Sequence, residues 1–170
     1  EFSTHGYHQA STTNIISKAG SSRGTLYHYF IDKKELFRSV FDELSDELYN
    51  DLKRHPYQGE SAVCDLIEGL KLYLKAFTRK DYARILLIDG PNVLGSEYCK
   101  AKDEATAFHL LLQGLLNVYP DDFKKANMLA HFISGGLDDY AMQIAKGKSY
   151  SDHSEYIERV VILLLENFDR

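Results

Sequence analysis

From Leu36 to Leu52 an apolar residue recurs at every fourth position: Leu36, Val40, Leu44, Leu48 and Leu52, with Phe37 and Phe41 beside them. A strand cannot use that spacing, because its side chains change face at every residue. A helix of about five turns puts them all on one face. Asp32-Lys33-Lys34-Glu35 has the form of a capping box at its start. His55-Pro56 is expected to end it, since proline disfavours helix in the residue before it. Val63, Leu66, Ile67, Leu70, Tyr73, Leu74 and Phe77 share one side of a helix expected over 61–77. Ile85 to Ile88 fall in a short apolar helix over 81–89 that Gly90-Pro91 is expected to break. Further helices are expected over 96–119, stopping at Pro120, over 121–146 and over 151–168, with a turn at 147–150. No stretch alternates with period two, so the expected fold class is all-α.

At 170 residues the chain suits one ordinary domain or two small ones, and its 44% hydrophobic and 26% charged residues exclude disorder as the main state. No apolar run approaches the ~18 residues of a membrane span, so no membrane partner is expected. Cys64 and Cys99 are too few and too far apart for a disulfide framework or a zinc motif, and are expected as buried thiols in a reducing cytoplasm. The net charge of −5 argues against non-specific coating of nucleic acid, yet residues 1–34 carry +2 and the remainder −7. A small basic head on an acidic body is compatible with a local DNA-binding patch.

The last two helices point to a second copy of the chain. Val160 to Leu165 are six consecutive apolar residues, and a helix apolar on two sides must bury both. One side faces its own core, and the other is expected against a partner subunit in a homodimer. Val160, Leu164 and Phe168 are assigned to that face. Phe132, Ile133, Leu137, Tyr140 and Ile144, with Gly135-Gly136, offer a matching surface on the preceding helix.

Residues 11–30 read as helix, glycine turn, helix. Ser11 suits an N-cap, Gly20 a left-handed turn and Ser22 a second N-cap. Ile15 and Ala19 are expected to pack against Leu26 and Phe30. That is the form of a helix-turn-helix. In it Arg23 can pair bidentately with guanine. Gly24 lets the backbone approach DNA, and Thr25 can reach a phosphate or a thymine methyl. Tyr27, His28 and Tyr29 present polar tips on the exposed side, and Lys33 can reach a phosphate.

The run Ser11-Thr12-Thr13-Asn14-Ile15-Ile16-Ser17-Lys18-Ala19-Gly20-Ser21-Ser22-Arg23-Gly24-Thr25-Leu26-Tyr27-His28-Tyr29-Phe30, followed by Lys33-Lys34-Glu35-Leu36-Phe37, closely resembles the DNA-binding domain of the tetracycline-repressor (TetR) family. Gly6-Tyr7 matches the pair that closes that family's first helix. Two positions depart: Ile16 stands where alanine is usual and Ser21 where valine is usual. Only Glu1 to His5 correspond to the family's first helix, with Phe2 as its last core residue, so the chain reads as a fragment. The resemblance implies DNA contacts at Thr12, Ser21, Arg23, Gly24, Thr25, Tyr27, His28 and Tyr29, and a phosphate contact at Lys33. It implies a DNA-binding domain over 1–54, including the long connecting helix, and a ligand-binding and dimerisation domain over 55–170. It further implies a cytoplasmic homodimeric repressor on a pseudo-palindromic double-stranded operator, released by a small-molecule inducer. The expected pocket lies among the helices of residues 61–146, with Tyr73, Phe77, Tyr98, Phe108, Leu112, His131 and Tyr140 as lining. Such lining suits an apolar or aromatic ligand.

No cofactor, metal or catalytic residue is assigned. His5 and His8 flank a glycine turn without a carboxylate or cysteine at ligand spacing. His109 and His131 are expected in core or pocket positions. Phosphate loops, serine elbows and paired-carboxylate motifs are absent from the sequence. The alternative reading is a small-molecule-binding or catalytic helical domain that no longer reads DNA.

Overall fold

Five helices begin in the same way: a Ser or Asp side-chain oxygen accepts the backbone N–H three residues on. Ser11 takes Asn14 at 3.3 Å, Ser22 takes Thr25 at 3.0 Å, Asp32 takes Glu35 at 2.8 Å, Ser61 takes Cys64 at 3.2 Å and Asp122 takes Lys125 at 2.9 Å. Each satisfies one of the donors that a helix start leaves orphaned. At the fourth-position apolar helix the Glu35 carboxylate also accepts the Ile31 N–H at 2.6 Å, closing the box one residue earlier than the cap itself.

The computed structural model describes residues 1–54 and 61–167. Helices α1 (Phe2–Gln9, kinked at Gly6), α2 (Thr12–Lys18), α3 (Arg23–Tyr29) and α4 (Lys33–Arg54) form the amino-terminal part. Then come α5 (Ala62–Ala76), α6 (Lys80–Tyr82), a π-helical turn (Ala83–Asp89), α7 (Gly90–Leu94), α8 (Ser96–Glu104), α9 (Ala107–Val118), α10 (Phe123–Ala145) and α11 (Ser151–Asn167). No strand occurs among the described residues, and the protein is all-α. The expected stop at His55-Pro56, the boundary beside it and Phe168 lie outside the described residues.

Between α2 and α3 the chain turns through a Schellman motif. Ser21 N–H bonds to the Ile16 carbonyl at 3.0 Å and Gly20 N–H to that of Ser17 at 3.2 Å. Gly20 has φ 59°, a conformation that glycine adopts without Cβ strain. Ile15, Leu26 and Phe30, expected to hold α2 and α3 together, pack against a small core of Phe2, Ala10, Leu36, Phe37, Phe41 and Ile85. Ala19 does not, because its side chain is exposed.

Two breaks fall elsewhere than the sequence suggests. Gly90-Pro91 does not end its helix. The π-helical turn delivers the Gly90 N–H to the Ile85 carbonyl, five residues back, and Gly90 keeps helical angles (φ −51°, ψ −62°). Pro91 then sits in the first turn of α7, where its missing N–H is not needed. The break comes at Gly95 (φ 94°). Conversely, the single helix expected over 96–119 is two. Thr106 interrupts it with φ −126° and ψ −104°, and its hydroxyl donates to the Lys102 carbonyl at 2.8 Å. The side chain thereby satisfies a carbonyl that a continuing helix would have used.

Gly90 is required by proximity. A Cβ there would lie 2.6 Å from Phe41 Cε2 and 2.9 Å from the Ile85 carbonyl oxygen. Overpacking of this kind costs about 1–3 kcal/mol, against a helix-propensity gain of at most about 1 kcal/mol. Gly90→Ala is therefore expected to lower the thermal midpoint by several degrees in a calorimetric scan; an unchanged or raised midpoint would show that α4 can move aside.

A larger core joins the lower half of α4 to the body. It contains Leu48, Leu52, Leu66, Leu70, Leu74, Phe77, Leu115, Leu129, Ile133, Ile157, Val161 and Leu165. Ala126, Ala130 and Ala141 are completely buried on α10, small enough for neighbouring helices to approach closely. Ile133, Leu137 and Ile144, expected at a partner interface, are buried in this core instead (5%, 6% and 8% exposed). The outward side of the same helices carries Phe132 (70% exposed), Tyr140, Tyr156, Val160, Leu163 and Leu164. The cysteines also differ from expectation: Cys64 is exposed and Cys99 half-buried. Burial first, and then the Asp42 carboxylate, push the Cys99 thiol up to about 11, so it stays protonated and unreactive at neutral pH. His109 is exposed rather than in the core. No helix among the described residues is long and apolar enough to cross a membrane.

Candidate nucleic-acid interface and ligand cavity

The exposed side of α3 follows from its shortness. Seven residues make about two turns, and Leu26, with Phe30 just beyond, uses up the inward positions. Arg23, Gly24, Thr25, Tyr27, His28 and Tyr29 are all exposed, as is Ser21 in the turn before them, while Thr12 at the start of α2 is half-buried. Apart from the inward Leu26, residues 21–29 form one exposed stretch, with Thr12 separate from it on α2. The Arg23 guanidinium lies 5.8 Å from the centre of the Tyr27 ring, and His28 and Tyr29 meet edge to face at 5.2 Å. The Thr25 hydroxyl is 2.8 Å from that of Ser22, so it belongs to the cap as well as to the surface.

Lys33 sits differently. It is half-buried; its ammonium donates to the His8 carbonyl at 3.2 Å and lies 4.8 Å above the Tyr7 ring. It therefore ties α4 to α1 at the edge of the exposed surface. Lys18 is paired with Glu1 at 3.0 Å, and this ammonium holds the Glu1 carboxyl down to about 2. The basic character seen at the sequence level is thus partly used within the head.

A second link runs from the head to the body. The Asp89 carboxylate, buried at the end of the π-helical turn, accepts the Tyr7 N–H at 2.8 Å and the Arg84 Nε–H at 3.2 Å. The arginine spans the kink at Gly6, where a Cβ would collide with its guanidinium. No local signal announces this contact, because its partners are 82 residues apart.

Among the described residues two cavities adjoin in the body. The first, of about 200 Å³, opens among α5, α9 and α10 and is walled largely by Leu52, Leu66, Leu70, Leu110, Leu111 and Leu137. The second, of about 300 Å³, lies between α4 (Phe41, Ser45, Leu48), the π-helical turn (Leu86, Leu87), α8 and α10. Tyr73, Asp103, Ala107, Phe108 and Ser134 line both. Of the seven lining residues expected from sequence, Tyr73 and Phe108 lie in the shared wall, and Phe77 and His131 in the second cavity. His131 lies 4.8 Å from the Phe108 ring.

Tyr98, Leu112 and Tyr140 line neither cavity. Tyr98 instead donates its hydroxyl to the Asp42 carboxylate at 2.8 Å, joining α8 to α4. Burial and that carboxylate push its hydroxyl up to about 12.

Besides most of the leucines, the lining residues that the sequence reading missed include the acidic Asp103 and Asp138 and the hydroxyl of Ser134. Tyr73 donates to Asp138 Oδ1 at 2.6 Å within the shared wall. Burial raises the Asp138 carboxyl above the ordinary range, the tyrosine hydrogen bond opposing it in part. Asp103 is pushed up to about 6 by burial and then by Asp138. A signal was present in the spacing: His131, Ser134 and Asp138 stand three and four apart on α10, a polar stripe beside the apolar one. Among the described residues no group of three or more His, Cys, Asp or Glu side chains is placed to hold a metal ion.

Two family models match the chain. One, described as bacterial regulatory proteins, tetR family, covers residues 1–40. The other, described as tetracyclin repressor-like, C-terminal domain, covers residues 63–168. No curated protein matches. Among solved structures, the fatty acid degradation regulator FadR from Bacillus halodurans superposes with a TM-score of 0.79 at 17% identity, over 94% of this chain and 87% of that one. A TetR-family transcriptional regulator from Pectobacterium atrosepticum superposes with a TM-score of 0.69 at 24% identity, over 96% of this chain and 86% of that one. At these identities the structural likeness is one of fold.

Proposed function

The chain belongs to the TetR family of transcriptional regulators, and from that premise we propose that it is a cytoplasmic, non-enzymatic homodimeric repressor, released from its operator by a small molecule. Residues 1–54 form the reading head with its connecting helix, and residues 55–170 form the ligand and dimer body. Each subunit lays α3 in a major groove, the two half-sites lying about one helical turn, ~34–36 Å, apart or further. The observation that carries this reading is the exposed run Arg23–Tyr29 on a capped helix. Thr12, Ser21 and Lys33 flank it as phosphate or sugar contacts. The exposed apolar faces of α10 and α11 supply the dimer contact.

The inducer occupies the adjoining cavities, with its apolar body along the leucine-lined end. One superposable structure is of a fatty acid degradation regulator, and an acyl-like chain is one apolar body that such an end suits. Two connections lead from the second cavity to the head. Phe41, Ser45 and Leu48 belong to α4, which begins at Lys33; Leu86 and Leu87 belong to the turn that ends in the Asp89 clamp on Tyr7. A ligand pressing on both changes the separation of the two heads. A coupling of about 1–3 kcal/mol is ordinary for such a device.

The test begins with in vitro selection of an operator and continues with salt titrations of two variants. Arg23→Ala is expected to relax sequence preference at one position of each half-site, by about 1–3 kcal/mol. Lys33→Ala is expected to weaken binding evenly across sequences and to reduce the salt slope by about 1. Unchanged preference in the first variant would remove Arg23 from base reading.

A further inference from the structure

The two cavities share a wall that is acidic where they meet. Asp103 at the end of α8 and Asp138 on α10 both line the second cavity, and Asp103 lines the first as well. We propose that the joined cavity takes an amphipathic ligand with an apolar body and a cationic, amine-type head, the head seated between Asp103 and Asp138. The site is the cavity itself, and the two carboxyls decide only which head group it accepts. The inference rests on the reading of this cavity as the inducer pocket.

The groups facing Asp103 can be named element by element. On α5 there is the Tyr73 hydroxyl, already donated to Asp138, with Asp65 further along the first cavity. On α8 there are Lys100 and Glu104, 3.7 Å from one another. On α9 the Phe108 backbone N–H favours the ionised form of Asp103, against the burial. On α10 there are Asp138, Ser134 and His131. The parts of α4 and of the π-helical turn that reach the cavity are Phe41, Ser45, Leu48, Leu86 and Leu87, none of them charged. Acidic groups thus predominate, and Lys100 is engaged with Glu104.

Burial first, and then the Asp138 carboxylate, push the Asp103 carboxyl up to about 6, since two carboxyls in a desolvated wall disfavour each other's ionisation. A bound ammonium removes that conflict and donates to both oxygen sets. A bound carboxylate or phosphate adds a third negative charge to the same place.

A matched series on the full chain tests this: decylamine, decanoate and decanol, below their aggregation limits, by titration calorimetry. A charge-assisted hydrogen bond in a shielded site leads us to expect the amine to bind at least about tenfold tighter than the alcohol, with the acid weakest. Asp103→Asn with Asp138→Asn is expected to bring amine and alcohol together. In the native chain the amine's affinity is expected to fall severalfold from about pH 7.5 to about pH 5.5 as Asp103 takes up its proton, while the alcohol's stays level. Asp103→Asn should flatten that fall. This comparison stands even if the double variant fails to fold.

Acid binding as tight as amine, or an amine preference that survives the double variant, overturns the cationic ligand and leaves the pocket in place. Failure of all three compounds to bind overturns the pocket reading and the cationic ligand with it.

Discussion

Replacing Val160 and Leu164 together by glutamate is expected to leave the protein monomeric and to lower its affinity for operator by about two orders of magnitude or more, if the proposed homodimer meets through α11. The two residues stand four apart on α11, 55% and 38% exposed in the single chain, so neither change touches the chain's own core. On the same helix Tyr156 and Leu163 extend the exposed apolar surface, and Phe132 is exposed on α10. In the proposed homodimer a two-fold axis through such a patch would bring it against its own copy. Glutamates placed there would become buried charges without partners, each costing several kcal/mol. One head would then bind a half-site without the second being tethered beside it. Sedimentation velocity reads the mass, and a melt confirms that each monomer still folds. Val161→Glu provides the contrast: Val161 is 4% exposed, and the variant is expected not to fold. A Val160→Glu/Leu164→Glu protein that sediments as a dimer would place the subunit contact elsewhere.

Phe37→Ala removes the second large contribution, about 3–5 kcal/mol of stability. Phe37 is completely buried, and its ring meets those of Phe2 and Tyr7 edge-on, each at 5.2 Å between centres. Neither α2 nor α3 contains a buried residue, so the reading helix hangs on this small core. The substitution is expected to abolish operator binding at temperatures where the body remains folded. Circular dichroism melts should then show an early transition for the head. Leu115→Ala, also at a completely buried position but in the body's core, is expected to cost about 2–5 kcal/mol without separating the two. A Phe37→Ala protein that binds operator normally and melts within a degree or two of the native chain would show that the head is held some other way.

What could be read in the sequence was local. The caps Ser11, Ser22 and Asp32 act within three residues of themselves, and Gly20 acts within its own turn, so composition and spacing sufficed for them. The period of four from Leu36 to Leu52 needed only a helix and a core. The exposed run Arg23–Tyr29 was legible because a short helix with two inward residues leaves the rest outside.

The remaining features depend on neighbours far along the chain. Whether Gly90-Pro91 breaks a helix turned on the π-helical turn before it and on Phe41 across from it. Whether 96–119 is one helix turned on a threonine hydroxyl that found the Lys102 carbonyl. Apolar residues on α10 are alike in sequence, yet Leu137 and Ile144 face the core while Phe132 faces out, because a helix with two apolar sides does not say which side meets its own chain. The acidic wall of the cavity was the least legible. Asp103 and Asp138 acquire their character from burial and from each other, and hydropathy patterns assign such residues to the surface. Those patterns record what each residue prefers, whereas only the packed structure decides which preferences are met.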